Sequence, residues 1–144
     1  MSRPIPILMY HQIDAPPPRG TPLRGLVVSP NSFSWQMAML RWLGFQGLSM
    51  RDLEPYLDGR QQGKVVGITF DDGYLNNLQN ALPILLKHGH MAKDAGYVTA
   101  TTMRRGRVSV DHDQWALPRV MVACATNPWQ FFLKLMTDYE DRRA

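Results

Sequence analysis

The residues best suited to chemistry are two adjacent carboxylates, Asp71 and Asp72, set between Ile68-Thr69-Phe70 and Gly73-Tyr74. The apolar, β-branched run from Lys64 to Phe70 that precedes them has the make-up of a central parallel strand, buried on both faces. A carboxylate pair directly after such a strand stands at the C-terminal edge of the sheet, where parallel α/β folds gather their ligands. Neighbouring like charges oppose each other's ionisation, so the pair needs a cation or a helix N-terminus beside it. One carboxylate can hold a divalent metal while the other takes a proton from water, a division suited to hydrolysis. As a bare dipeptide the pair also suits a helix cap or turn, since Asp is a preferred capping residue. Gly73 supplies a turn conformation that other residues resist.

The flanking sequence supplies elements to position this pair. Ile5 to Tyr10 is a short apolar run that reads as a buried strand, with His11 at its end. Asp14 to Pro22, with Pro16-Pro17-Pro18, reads as an irregular loop. Ser29-Pro30 caps a helix whose apolar residues Phe33, Met37 and Leu40 recur at helical spacing, and Gly44 ends it. Leu48 begins a brief strand, and Ser49 with Asp52 has capping-box spacing for a helix carrying Leu53 and Leu57 up to Gly59. After the aspartates, Leu75, Leu78, Leu82 and Leu85 mark the buried stripe of a helix kinked at Pro83 and stopped at Gly89. The alternation predicts a parallel α/β architecture, either an open sheet or part of a β/α barrel.

Beyond Gly89 the pattern breaks. Ala92 to Gly96 reads as the end of a second helix, with no room for a strand between the two endings. Such a succession is what an internal deletion of one or more strand-helix units around residues 90 to 92 would leave. Tyr97 to Thr102 then reads as a strand, Met103 to Gln114 as a polar, basic stretch, and Ala116 to Val122 as another strand. Asn127-Pro128 caps a final helix with Trp129, Phe132, Leu133 and Met136 on its apolar face, ahead of a frayed Asp141-Arg142-Arg143 end.

The 144 residues, 44% hydrophobic and 19% charged, suit one domain, an N-terminal part over 5-90 with the aspartate motif and a C-terminal remnant over 91-144. The net charge of +4 is scattered, which argues against a nucleic-acid partner. Cys124 is the only cysteine, so neither an intrachain disulfide nor a cysteine metal cluster can form. No apolar run approaches the ~20 residues of a membrane-spanning helix. Without a leader-like start the expected location is cytoplasmic, or the cell envelope or exterior if an N-terminal segment is missing.

Four segments together resemble the polysaccharide deacetylase family, carbohydrate esterase family four. They are Ile7-Leu8-Met9-Tyr10-His11-Gln12-Ile13, Phe33 with Leu43-Gly44-Phe45, Ile68-Thr69-Phe70-Asp71-Asp72-Gly73-Tyr74, and Ala81-Leu82-Pro83-Ile84-Leu85. The resemblance implies a distorted β/α barrel, here partial and lacking central strand-helix units. It also implies a hydrolase acting on carbon-nitrogen bonds other than peptide bonds, which removes N-acetyl or O-acetyl groups from glycans. Asp71 would then be the catalytic base and Asp72 a ligand to zinc or a similar divalent metal. His11 and Tyr74 lie within matched segments and are candidates for substrate contact or support of the site.

The family's His-x-x-x-His metal motif is absent, which leaves the activity impaired. Of the four histidines, His88 and His90 follow the helix after the aspartates and read as surface residues, whereas His112, between Asp111 and Asp113, is a further metal candidate. The family's base-orienting arginine has no assigned counterpart, and Arg119 lacks the motif. The competing reading is a non-catalytic carbohydrate-binding or interaction module that stacks Tyr74 and Trp115 on sugar rings. A chain too short for a closed barrel leaves strand edges unpaired, and homo-oligomerisation is one way to cover them.

Overall fold

The computed structural model of the chain describes residues 3–90, 101–109 and 117–143. Within them the strands are β1 (Ile7–Tyr10), β2 (Gln12–Ile13), β3 (Val27–Val28), β4 (Gln46–Leu48), β5 (Val65–Phe70), β6 (Thr101–Arg105) and β7 (Leu117–Met121). The α-helices are α1 (Pro30–Trp42), α2 (Met50–Leu57), α3 (Leu82–Lys87) and α4 (Pro128–Met136).

Five strands form one parallel sheet in the order β4-β5-β1-β7-β6, and β2 pairs with β3 in a small parallel ladder of its own. β1 lies in the middle and is wholly buried, as its apolar run requires. Tyr10 is paired with Phe70 and Leu8 with Val120, so β1 joins the two halves of the sheet. Among the described residues β4 and β6 are the sheet's edges, and the sheet does not close on itself. The architecture is the partial barrel that the sequence suggested.

Alternation sends the side chains of each strand to two layers. Leu8, Tyr10, Val66 and Val120 face Phe33, Met37 and Leu40 of α1, Leu85 of α3 and Phe131 and Leu135 of α4. On the other layer Ile7, Val65 and Leu117 meet Leu53 of α2 and Val108. Gly67 makes that layer possible, since a Cβ there would lie 2.9 Å from Leu53 Cδ2. Ser29 and Ser49 cap α1 and α2 as expected, and Asn127 shares a reciprocal capping box with Gln130.

Several elements depart from the sequence reading. β4 starts two residues earlier and ends at Leu48, held by β5 rather than by its own composition. Met103 to Arg105 belong to β6, and the following Val108 is buried and bridges Ile5, so that stretch is not simply a polar loop. Residues 97–100, and the junction from residue 91, fall outside the described residues.

The leucine stripe after the aspartates is split. Asn77–Ala81 forms a π turn ahead of Pro83, and Leu82 N–H bonds back to Asn77 C=O. The wider turn accommodates the ring and missing N–H of Pro83, and its extra residue rotates what precedes it relative to α3. Ala81 and Leu85 are buried, whereas Leu75 and Leu78 are 64% and 62% exposed.

In α4 the buried face is Phe131, Lys134 and Leu135, and Trp129 is 66% exposed, stacked on Phe132 with centroids 5.6 Å apart. Apolar residues occupy nearly every side of this helix, so periodicity alone does not choose its inner face. The edge-on contact of Phe131 with Trp35 at 5.7 Å does. Lys134 is tolerated inside because it pairs with the buried Glu140 carboxylate. The C-terminal end is anchored rather than frayed: Asp138 pairs with Arg142, and Asp141 with Arg107.

Candidate active site

β1, β5 and β7 run parallel, so their C-terminal ends share one edge, and Asp71 follows β5 there with its N–H bonded to Tyr10 C=O at 2.9 Å. The Asp71 carboxylate is held by Arg119 from β7 in a two-pronged pair: Nη1 donates to Oδ1 at 2.6 Å and Nη2 to Oδ2 at 3.0 Å. Such a fork fixes the plane of the carboxylate as well as its position. Arg119 Nη1 also lies 3.4 Å from Thr69 Oγ1, whose hydroxyl donates to Leu8 C=O. The guanidinium is nearly buried, and its paired carboxylate compensates that burial.

Arg119 is thus the cation that the acidic pair required, at a residue to which the sequence reading assigned no role. A sequence signal existed. A lone charge inside the apolar strand Leu117-Pro118-Arg119-Val120 must find a partner, and a carboxylate at the shared sheet edge is the nearest class of partner.

His11 is 8% exposed and sets its Nε2 3.8 Å from Asp71 Oδ2, beside the carboxylate but beyond direct hydrogen-bond length. Three asparagines on the turn after the aspartates hold the chain around it. Asn77 donates to His11 C=O at 2.8 Å, Asn80 to Ile13 C=O at 2.7 Å, and Asn76 to Gln12 Oε1 at 3.1 Å. These supports were missed, although Asn76, Asn77 and Asn80 have the spacing of one helix face.

Asp72 points elsewhere. It is exposed, takes the left-handed conformation at φ +67°, and has no hydrogen-bond or ion-pair partner among the described residues. Neither aspartate caps the following helix, whereas Asp72 and Gly73 form a turn, so of the bland reading the turn stands and the cap does not. Asp is among the few non-glycine types that tolerate this conformation, and residues held in it cluster at working sites. Tyr74 is 42% exposed two residues on.

The other histidines are differently placed. His90 is 2% exposed, so its reading as a surface residue is corrected: its Nδ1 accepts from Gly47 N–H at 3.0 Å and its Nε2 lies 3.0 Å from Met37 C=O. The ring takes the position where a neighbouring strand would bond β4. His88 sits against Ser34 Oγ at 3.2 Å; burial first, then Lys87, His90 and Arg41, lowers its pKa below the ordinary imidazole value despite its place at a helix C-terminus. His112, with Asp111 and Asp113, and Trp115 lie outside the described residues.

A zinc site needs about four donors, commonly three or more from protein. Among the described residues no three His, Cys, Asp or Glu side chains gather into such a group. Asp71 is committed to Arg119 and both nitrogens of His90 are engaged, which among the described residues leaves Asp72 and the His11 ring as donors beside the site, fewer than a zinc site needs. The described residues do not fit a resident metal.

No family model matches the chain. Among curated proteins it is 40% identical over 90 residues to YxkH of Bacillus subtilis (strain 168), a protein named as a candidate polysaccharide deacetylase; the match covers 61% of this chain and 30% of that one. The chain therefore spans about a third of the length of the curated relative it matches. Among solved structures, the Streptococcus pyogenes deacetylase PplD, solved with acetate, superposes with a TM-score of 0.80 at 18% identity, covering 94% of this chain and 99% of that one. A candidate polysaccharide deacetylase from Bacillus anthracis superposes at 0.75 with 19% identity, covering 92% and 69%. The fold is that of the polysaccharide deacetylases. In sequence the chain is related to YxkH over the 90 residues of their match.

Proposed function

We propose that this chain is a deacetylase-type domain that engages an acetylated polysaccharide at the Asp71–Arg119 end of its sheet, with the removal of N-acetyl or O-acetyl groups impaired. The observation that carries this reading is the Asp71 carboxylate clamped by Arg119 at the C-terminal edge of a deacetylase-like sheet. A carboxylate so fixed retains lone pairs on both oxygens and can take the proton of a water attacking an acetyl carbonyl. Arg119 keeps that carboxylate from turning away, and the asparagine-held His11 closes one side of it. A metal would supply Lewis-acid chemistry; the described donors do not complete a site for one, and this is the basis for impairment.

The test combines metal analysis with acetate release from N-acetylglucosamine oligomers by the purified chain. The expected result is glycan binding, zinc well below one equivalent, and release close to background that Asp71→Asn removes altogether. Tight stoichiometric zinc with rapid release would show the site to be complete. Absence of both binding and release would sink the glycan reading. The exposed ring of Tyr74 beside Asp72 favours a second reading, a non-catalytic carbohydrate-binding module. Glycan binding that survives a chelator and Asp71→Asn but is lost in Tyr74→Ala would select it.

A further inference from the structure

Cations near the β6–β7 side of the sheet are almost all matched by carboxylates. Arg119 holds Asp71, Arg107 holds Asp141, Lys134 holds Glu140 and Arg142 holds Asp138. Arg105 is the exception among the described side chains of that region. It ends β6, it is exposed, and among the described residues its guanidinium meets only a thioether, Met121 Sδ, at 3.8 Å. It opens onto a recess of about 210 Å³ that Thr126, Gln130, Lys134 and Tyr139 also line. The recess therefore combines one uncompensated guanidinium with hydroxyl and carboxamide groups, the mixture that recognises an acidic sugar.

Its position ties it to the candidate active site. Arg119 and Met121 are two residues apart on β7 and so project to the same face, about 7 Å apart along the strand. Arg105 stands level with Arg119 in the ladder and reaches Met121. Arg119 pairs with Asp71 and Arg105 touches Met121, so the recess begins two β7 residues from the candidate site, a separation on the scale of neighbouring sugars and not of an acetyl group. A larger recess of about 320 Å³ lies instead beside β4, lined by Gln46, Gly47, Asp52 and Tyr56. It sits level with the start of β5, away from Asp71.

We propose that the Arg105 recess is a subsite for a carboxylate-bearing sugar next to the acetylated residue, so that the chain prefers an acidic, acetylated glycan. This rests on the glycan reading of the Asp71 site and extends it. A single charge-assisted pair in a partly open recess is worth about tenfold in affinity at low salt.

The experiment compares two probes by calorimetry on the full chain: N-acetylglucosamine trimer, and the same trimer with its terminal C6 hydroxyl oxidised to a carboxylate. The methyl resonance of Met121 reports locally. The acidic trimer is expected to bind about tenfold more tightly and to shift the Met121 signal. Arg105→Gln should remove both effects while neutral-trimer affinity stays within about twofold, and 1 M salt should reduce the preference. Arg60→Gln, a remote exposed site, should leave the preference intact, so a loss there would assign it to net charge and overturn the subsite. Equal binding of the two trimers also overturns it and leaves the glycan reading standing. Selective binding of the acidic trimer with none of the neutral one supports the subsite and counts against the acetyl-centred reading; binding of neither overturns both.

Discussion

Helix α1 and the helical segment that ends in α3 pack against each other over the same layer of the sheet, and they spend their apolar residues differently. α1 turns Phe33, Gln36, Met37 and Leu40 inward without interruption. The segment from Tyr74 to Lys87 buries Ala81 and Leu85 but shows Tyr74, Leu75, Leu78 and Leu86 to solvent. The difference lies in the π turn, which brings Asn76, Asn77 and Asn80 onto the backbone and side chains of residues 11 to 14. α1 is a stability element; the other helix gives up burial in order to fix the loops that carry Asp71 and His11.

The sharpest way to break this contrast is a pair of truncations. Phe33→Ala, fully buried between Tyr10 and Phe70, should cost about 3–5 kcal/mol in denaturant unfolding. Leu78→Ala should change stability by less than about 0.5 kcal/mol. Equal losses would mean that the leucine is buried in solution.

Gly47→Ala comes next, because its Cβ would lie 2.7 Å from both His90 Nδ1 and Ile68 Cδ1. A loss of about 1–3 kcal/mol is expected, together with faster hydrogen exchange at the Gly47 amide, since the imidazole can no longer sit against it. Unchanged exchange would detach His90 from the β4 edge.

Asn77→Ala removes one bond to His11 C=O and should cost about 1 kcal/mol, with the amide resonances of residues 11 to 14 shifting more than those of α1. Uniform small shifts would count against the clamp.

The smallest effect concerns pH. The folded state lowers the His88 pKa, so the unfolded chain binds more protons as pH falls through the ordinary value of 6.5. Stability should decline as pH drops through and below that value, and His88→Gln should flatten the decline measured against the parent chain.

How much of this was legible in the sequence follows from what each feature depends on. The caps at Ser29, Ser49 and Asn127, the central strand and the position of the aspartates rest on contacts within a few residues, and periodicity and capping chemistry expose such contacts directly. The phase of Leu75 and Leu78 depended on how the backbone accommodates Pro83, which a 3.6-residue template does not contain. The roles of Arg119 and His90 depended on partners 48 and 43 residues away, Asp71 and Gly47. Only a buried charge in the one case, and a glycine with no turn to explain it in the other, pointed to them.

The central place of β1 also bears on how the chain folds. Its neighbours arrive late: Ile7 to Tyr10 pair with residues 67 to 70 on one side, and Leu8 and Met9 with Val120 and Met121 on the other. β1 must therefore wait, one side open, until residues 117 to 121 have been synthesised. Such long-range closure is slow, and a C-terminal truncation before residue 117 would leave the wholly apolar β1 with a permanent free edge, ready to pair with another molecule.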